Sequence, residues 1–535
     1  MKKVFFLLIT FYSFSQDISN YNDSIRIDFS NYYLNNAKSQ TIKNSNDLYY
    51  NELINSKYNK KNLYVLNPTL YMNFNSNVPY SRNDGSMIPN VGFQQLLSFG
   101  FYFEYGPLSI QINPEYLYAE NKPFQLYWTD HQLFQLDRRY DFWNKVDLPE
   151  RFGQTSYSKL LPGQSSIRFN FSNMSIGFST ENLWWGPGIR NAIMLSNNAR
   201  GFPHITFNSV EPLQTKIGNF EWQLITGRLE KSGFLPSYTN FYNYNDYFYL
   251  PKKNDWRYFQ GLIISYSPSF IKGLTVGFSR WVQAYSTFIK DTKDYFPVLD
   301  GLFRKNDKYG ADIPGGDQSL EQQRDQAAGV FFRWVWNDAK AEIYGEYFTD
   351  YVKGIFSKRI KNNEDLKGYT LGFRKVFNNK YDFSWEWTNL SQDLTSLKNN
   401  SNIIYTNDQV RHGYTNYGEV LGATIGPGSS SQSLSIGFLK NKIFKKLGFE
   451  LTSINNDWFI KSFESAKDYR RYWKEFYIHT KFSKRISKIS MSSQLSFGRI
   501  LNYQWELEDF GDEYYKAGKD INNFKFSLSI MYNLN

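Results

Sequence analysis

The 535-residue chain contains no cysteine. Disulfides, thiolate metal sites and a cysteine nucleophile are thereby excluded, and an export signal of the lipoprotein kind has no acceptor. Histidine is scarce: His131, His204, His412 and His479 are widely spaced, and none pairs with another one helical turn away as a zinc site would need. No Gly-x-Ser-x-Gly elbow occurs. The glycine-rich "GATIGPGSSS" from Gly422 lacks the Lys-Ser/Thr of a phosphate loop and reads as a flexible connection. Neither a metal nor another cofactor is expected, and no catalytic residue is assigned. Long apolar runs are missing as well. Residues 4–12 are apolar but too short to anchor a helix across a bilayer.

That run follows Lys2 and Lys3 and precedes the small residues Ser13 and Ser15, so residues 1–15 read as a secretory signal peptide. Its removal takes the net charge from +11 to +9. A basic excess can attract phosphorylated lipid, acidic polysaccharide or nucleic acid. Export disfavours nucleic acid, and the abundance of Lys, Asn, Tyr and Ile, as in products of A+T-rich genomes, also accounts for the excess.

What the chain does have is rings: aromatic residues make up 19% of it, although its mean hydropathy is −0.55. A transmembrane β-barrel reconciles the two, because strands that show one face to lipid and the other to water average to a polar composition. Period-two alternation supports this. Leu97, Phe99, Phe101, Phe103 and Tyr105 alternate with Ser98, Gly100, Tyr102 and Glu104. After a turn at Gly106 and Pro107, Leu108, Ile110 and Ile112 alternate with Ser109, Gln111 and Asn113. Pro114 predicts a local break. The pattern recurs to Phe524, Phe526, Leu528, Ile530 and Tyr532 near the C-terminus, which ends on Asn535 where barrels usually end on a ring.

Short turns alternate with long connections, and assigning the short ones to the periplasm and the long ones to the exterior orients the chain. The expected fold class is all-β: an antiparallel transmembrane barrel of about 18 strands over residues 63–535, with both ends periplasmic and short helical or irregular periplasmic and lumenal segments. The strand between His204 and Ile217 is the least defined. Residues 16–62 read as a polar periplasmic segment with short helices around 45–57. Inserts near 119–164, 184–203 and 391–431 are too long to be idle loops and should fold over the mouth or into the lumen. Glu342 and Glu346, about 13 Å apart on one strand from the strand rise, are too far apart for a glycosidase pair and suit charge balance in a wet lumen.

"STENLWWGPGIRNAIMLSNNARGFPHI", residues 179–205, draws most attention. Parity along a strand from Met174 puts Trp184 on the lipid face, in the outer aromatic girdle, and turns Trp185 toward the mouth. Gly186, Pro187 and Gly188 then stop pairing. Arg190, Asn191, Asn197, Asn198 and Arg200 cluster on non-strand backbone beyond the bend. Guanidinium and amide groups beside a ring suit hydroxyl-rich or acidic sugars. The alternative is that these groups satisfy one another inside a plug.

This stretch, "VDLPERFGQTSYSKLLPGQSSIRF" before it and "HGYTNYGEVLGATIGPGS" from His412 after it, resembles in order the motifs of the capsule assembly Wzi family. The resemblance implies an 18-stranded outer-membrane barrel with a helical periplasmic element, acting as a non-enzymatic lectin that holds capsular polysaccharide or exopolysaccharide at the surface of a Gram-negative-type cell. The motif positions then supply the sugar-contact candidates: Trp185, Arg190, Asn191 and Asn197 from one, with Arg411, His412, Tyr414, Asn416 and Glu419 from the other. The expected partners are that polysaccharide, outer-membrane lipid and lipopolysaccharide, with the protein a monomer. A passive sugar porin is the alternative. A barrel-wall hydrolase using His204 or His412 is a third reading, since triads are assembled in space.

Overall fold

The structure, a computed structural model, describes residues 42–44, 63–127, 133–236, 248–290, 292–299, 324–350, 366–378, 380–399, 402–440, 443–463, 469–507 and 518–534. The expected signal peptide, the helices around 45–57 and His131 lie outside the described residues.

Alternation is the reason these segments become wall. Strands Phe101–Tyr105 and Leu108–Ile112 pair through Tyr105↔Leu108 around Gly106, whose φ of +58° suits glycine. The ladder breaks at Asn113 and Pro114, as the missing proline N–H predicts, and resumes at Glu115–Ala119. Phe99, Phe101, Ile167, Phe169, Phe178, Val330, Ile436, Phe497 and Phe524 are exposed on the outer face, while Arg168, Gln223, Arg333, Glu342 and Arg374 are buried on the inner one. The inner charges pair across neighbouring strands. Arg333 donates to Glu342 at 2.9 Å through Nε, and Arg374 Nε donates to Asp382 at 2.5 Å. Wet-face charges thus neutralise one another where water is sparse.

Every pairing in this sheet is antiparallel. Its last strand, Ile521–Tyr532, pairs with Thr69–Asn75 from Lys525↔Asn75 to Met531↔Thr69, so 23 strand segments form a closed barrel. The ill-defined region after His204 is two segments, His204–Ser209 and Leu213–Gln214. Long connections gather at one end and short turns at the other. Helices Leu133–Asn144, Leu394–Asn399 and Asn456–Phe463 all lie within long connections, and none among the described residues is long and apolar enough to cross a membrane.

One expectation is corrected. The strand from Met174 does not run through to Trp184 but ends at Ser179. Leu183–Trp185 is a separate strand that pairs not with the wall but with Ile42–Asn44, in register Ile42↔Trp185. Trp184 is only 6% exposed and does not reach the outer belt. Parity fails because three polar residues leave the ladder to bond elsewhere. Thr180 Oγ1 donates to Gly163 O at 2.8 Å, Glu181 accepts from Arg168 at 2.7 Å, and Asn182 Nδ2 donates to Ala199 O at 3.2 Å. The chain is drawn into the lumen, and a face count taken along an outer strand no longer applies.

Candidate functional site

Residues 183–203 form a plug that is irregular after the short strand Leu183–Trp185, and the backbone amides beyond that strand must find partners outside the wall ladder. Wall carboxylates supply them. Glu346 accepts from Gly188 N at 2.8 Å and Ile193 N at 2.9 Å. Glu386 accepts from Ile189 N at 2.7 Å, Arg190 N at 3.1 Å and Asn191 N at 2.9 Å, and from the Tyr344 hydroxyl at 2.8 Å. Gly186 makes the approach possible: its φ is +115°, and a Cβ there would lie 2.4 Å from Glu346 Oε1.

Residues 403–425 close over the plug from the long-loop side. The Tyr405 hydroxyl donates to Ile193 O at 2.7 Å and the Tyr414 hydroxyl to Met194 O at 2.5 Å. Ser196 N donates to Leu421 O at 2.8 Å. The Tyr414 ring stacks on wall Trp281 with centroids 4.0 Å apart and planes 7° from parallel. Plug, cover and wall share one apolar core, including Trp185, Ile193, Phe259, Phe331 and Tyr405. Above it, a second cluster built from the long connections surrounds Arg139. That guanidinium sits about 5 Å from the Tyr127, Phe142, Trp143, Trp458 and Trp505 ring centres and pairs with Glu150 at 3.6 Å.

Most sequence-predicted contact residues are spent on this packing. Trp185 is fully buried and donates from Nε1 to wall Gln223 at 2.7 Å. Asn197 is buried, and its carbonyl accepts from Gly85 N at 2.8 Å. His412 Nδ1 lies 2.9 Å from the Tyr285 hydroxyl. Burial, and then the charges of Arg257, Lys252, Lys231 and Arg411, push its pKa down to about 2 and keep the ring neutral. Tyr414 and Asn416 are wholly enclosed, Asn416 Nδ2 donating to Arg200 O at 3.1 Å. Glu419 is buried, and burial raises its pKa well above the usual carboxylate range. These six side chains are enclosed between plug, cover and wall. Arg411 is half-buried and holds its guanidinium on the carbonyls of Asn144 at 3.0 Å and Pro251 at 3.1 Å.

Arg190 and Asn191 differ, because they line a lumenal cavity of about 100 Å³. Arg190 pairs with wall Glu450, and its carbonyl accepts from Asn83 Nδ2 at 2.8 Å. Arg82 binds Glu450 at 3.1 Å and Glu475 at 3.3 Å, with its guanidinium 4.6 Å from the Tyr80 ring centre. Lys525 binds Asp84 at 2.9 Å. The sequence reading missed Arg82, Glu386, Glu450 and Lys525. Their one signal was a charge on the inward register of a strand or in the connection after Asn75. His204 and His412 are not brought together with a serine and a carboxylate into a hydrolase triad in the bonds described, and His204 Nδ1 instead meets Phe202 O at 2.8 Å. Among the described residues no group of His, Asp and Glu is placed to hold a metal.

The fold resembles that of Wzi from Escherichia coli, an outer-membrane protein involved in group 1 capsule assembly and described as a carbohydrate-binding β-barrel. The TM-score is 0.54 at 12% identity, covering 91% of this chain and 88% of that one. OccK8 (OprE) of Pseudomonas aeruginosa aligns over 87% of this chain and 97% of its own at 9% identity, but its TM-score of 0.41 is too low to argue from. Among curated proteins no match is found. The family model for capsule assembly protein Wzi matches residues 79–455, more than half of the sequence, taking in the plug, its cover and most of the wall. The chain therefore belongs to the capsule assembly protein Wzi family.

Proposed function

We propose that this protein is a non-enzymatic outer-membrane lectin that binds capsular polysaccharide or exopolysaccharide and anchors it at the cell surface. Joined across five interruptions, the 23 wall segments read as 18 staves, an even number as bacterial barrels have. The exposed apolar side chains form the lipid-facing band, and the long connections face outward. Both ends of the chain then lie in the periplasm.

The observation that carries the reading is the plug. Its backbone is tied to Glu346 and Glu386 and covered by Tyr405 and Tyr414, an arrangement that suits a binding surface better than the open lumen a porin needs. Together with family membership it favours retention of a polymer over passage of solutes. The test is retention of the producing strain's own purified surface polysaccharide by the full-length protein in detergent micelles. Capture above that of an unrelated barrel is expected. No capture beyond that control contradicts the proposal.

A further inference from the structure

The outward face of the wall is not uniform. Across five neighbouring strands, Arg257–Pro268, Leu274–Tyr285, Arg324–Trp336, Ala341–Asp350 and Lys367–Phe377, it carries an open depression of about 730 Å³. Sites for small molecules span ~300–1,000 Å³. Register explains its floor. Val276, Phe332, Gly345 and Leu371 are successive cross-strand partners in one outward row. Gly345 has no side chain to present there, and Phe332 and Leu371 lean into the gap: a Cβ at 345 would lie 2.7 Å from Phe332 Cε1 and 3.0 Å from Leu371 Cδ2. In the next row the rings of Phe278 and Tyr347 flank exposed Val330. All of these side chains line the depression.

The depression lies toward the short turns, since Val276 is the third residue of its strand after one such turn and Gly345 the fifth of its strand after another. Between it and the turns the outward face changes character. Phe332 is followed in register by Trp334 and Trp336, whose ring centres are 5.0 Å apart, and Leu371 by Phe373 and Lys375. Tryptophan marks the level of lipid headgroups. Lys375 Nζ donates to the carbonyl of Ala339 and lies 5.7 Å from the Phe377 ring centre, and neither partner neutralises its charge. Lys272 is exposed in the turn between the first two of these strands, while Asp338 and Lys340 in the next turn carry opposite charges. Leu371 and Lys375 are about 13 Å apart along the strand at ~3.3 Å per residue. One leaflet contributes ~15 Å of hydrocarbon, so a single lipid reaches from the depression to the lysine.

We infer that this depression holds an acyl chain of a glycerophospholipid of the periplasmic leaflet, with the lipid phosphate at Lys375. The inference rests on the orientation proposed above, short turns to the periplasm, where the leaflet is glycerophospholipid and lipid A faces the exterior. Native mass spectrometry of the full-length protein in detergent, titrated with dioleoyl phosphatidylglycerol or with lipid A, tests it. One phosphatidylglycerol should be retained, roughly tenfold more tightly than lipid A. V330W fills the floor from the lipid side and should weaken that binding roughly tenfold. K375Q leaves the depression intact, should cost roughly threefold, and keeps the test available if V330W misfolds. L495W alters another exposed outward position, on Ile489–Leu501, and should bind as wild type does.

Unchanged affinity in V330W or in K375Q, or an equal loss in L495W, would overturn the proposal by reducing the site to ordinary contact with surrounding lipid. Preference for lipid A would overturn it together with the orientation on which it rests. Retention of neither lipid would overturn it and leave that orientation standing.

Discussion

At the scale of single residues, the plug is held by carboxylates that neutralise backbone donors as much as charges. Replacing Glu386 by Ala leaves the amides of Ile189, Arg190 and Asn191 without their acceptor. The cost is on the order of 1–3 kcal/mol for each donor that stays buried and unpaired. Hydrogen exchange at those amides should accelerate in E386A and be partly restored in E386Q, which keeps one acceptor; unchanged protection in E386A would contradict the assignment. His412 gives a pH dependence. Its folded pKa is near 2 and its unfolded value is about 6.5. Between those values the unfolded chain binds a proton that the folded one refuses, so stability falls as pH falls. The loss is at most about 1.4 kcal/mol per pH unit below ~6.5. Thermal melts between pH 7 and 4 should show this slope flattened in H412Q, and an identical slope in the two proteins would count against it. Neither the burial of Trp185 nor its partner Gln223, 38 residues on, was legible from parity, because the strand counted from Met174 ends at Ser179.

At the scale of elements, alternation located wall strands well because each has one apolar and one polar face. The predicted break at Pro114 is present for the reason given, a missing donor. The same rule failed at Thr180, where side-chain bonds took the chain off the ladder and into the lumen. A strand ending is written in three-dimensional partners, Gly163, Arg168 and Ala199, which no local pattern displays. For the same reason the candidate contacts divided as they did: the motif's polar residues were visible, but which of them the cover would enclose depended on residues 403–425 folding back over 183–203. Gly186 sets how closely the plug can approach the wall. G186A combines an unfavourable φ with a clash against Glu346 and should make residues 183–203 more readily cleaved by added protease, with the barrel itself intact. Wild-type resistance in that variant would show that the close approach is dispensable.

At the scale of the whole molecule, a closed sheet supplies a rigid wall, the plug occupies one side of the lumen, and an aromatic cap built around Arg139 covers the long-loop end. Replacing residues 187–198 by a short Gly-Ser linker should turn a silent barrel into a conducting one in planar bilayers. A large steady current from the intact protein would instead favour the porin reading. Anchoring of the polymer is read out by the partition of surface polysaccharide in a strain lacking this protein. Polysaccharide should appear in the culture medium at the expense of the cell-bound fraction, with total synthesis unchanged and the partition restored by the wild-type chain. If the deletion strain keeps its polysaccharide on the cell and sheds none, the claim that this barrel anchors it is contradicted.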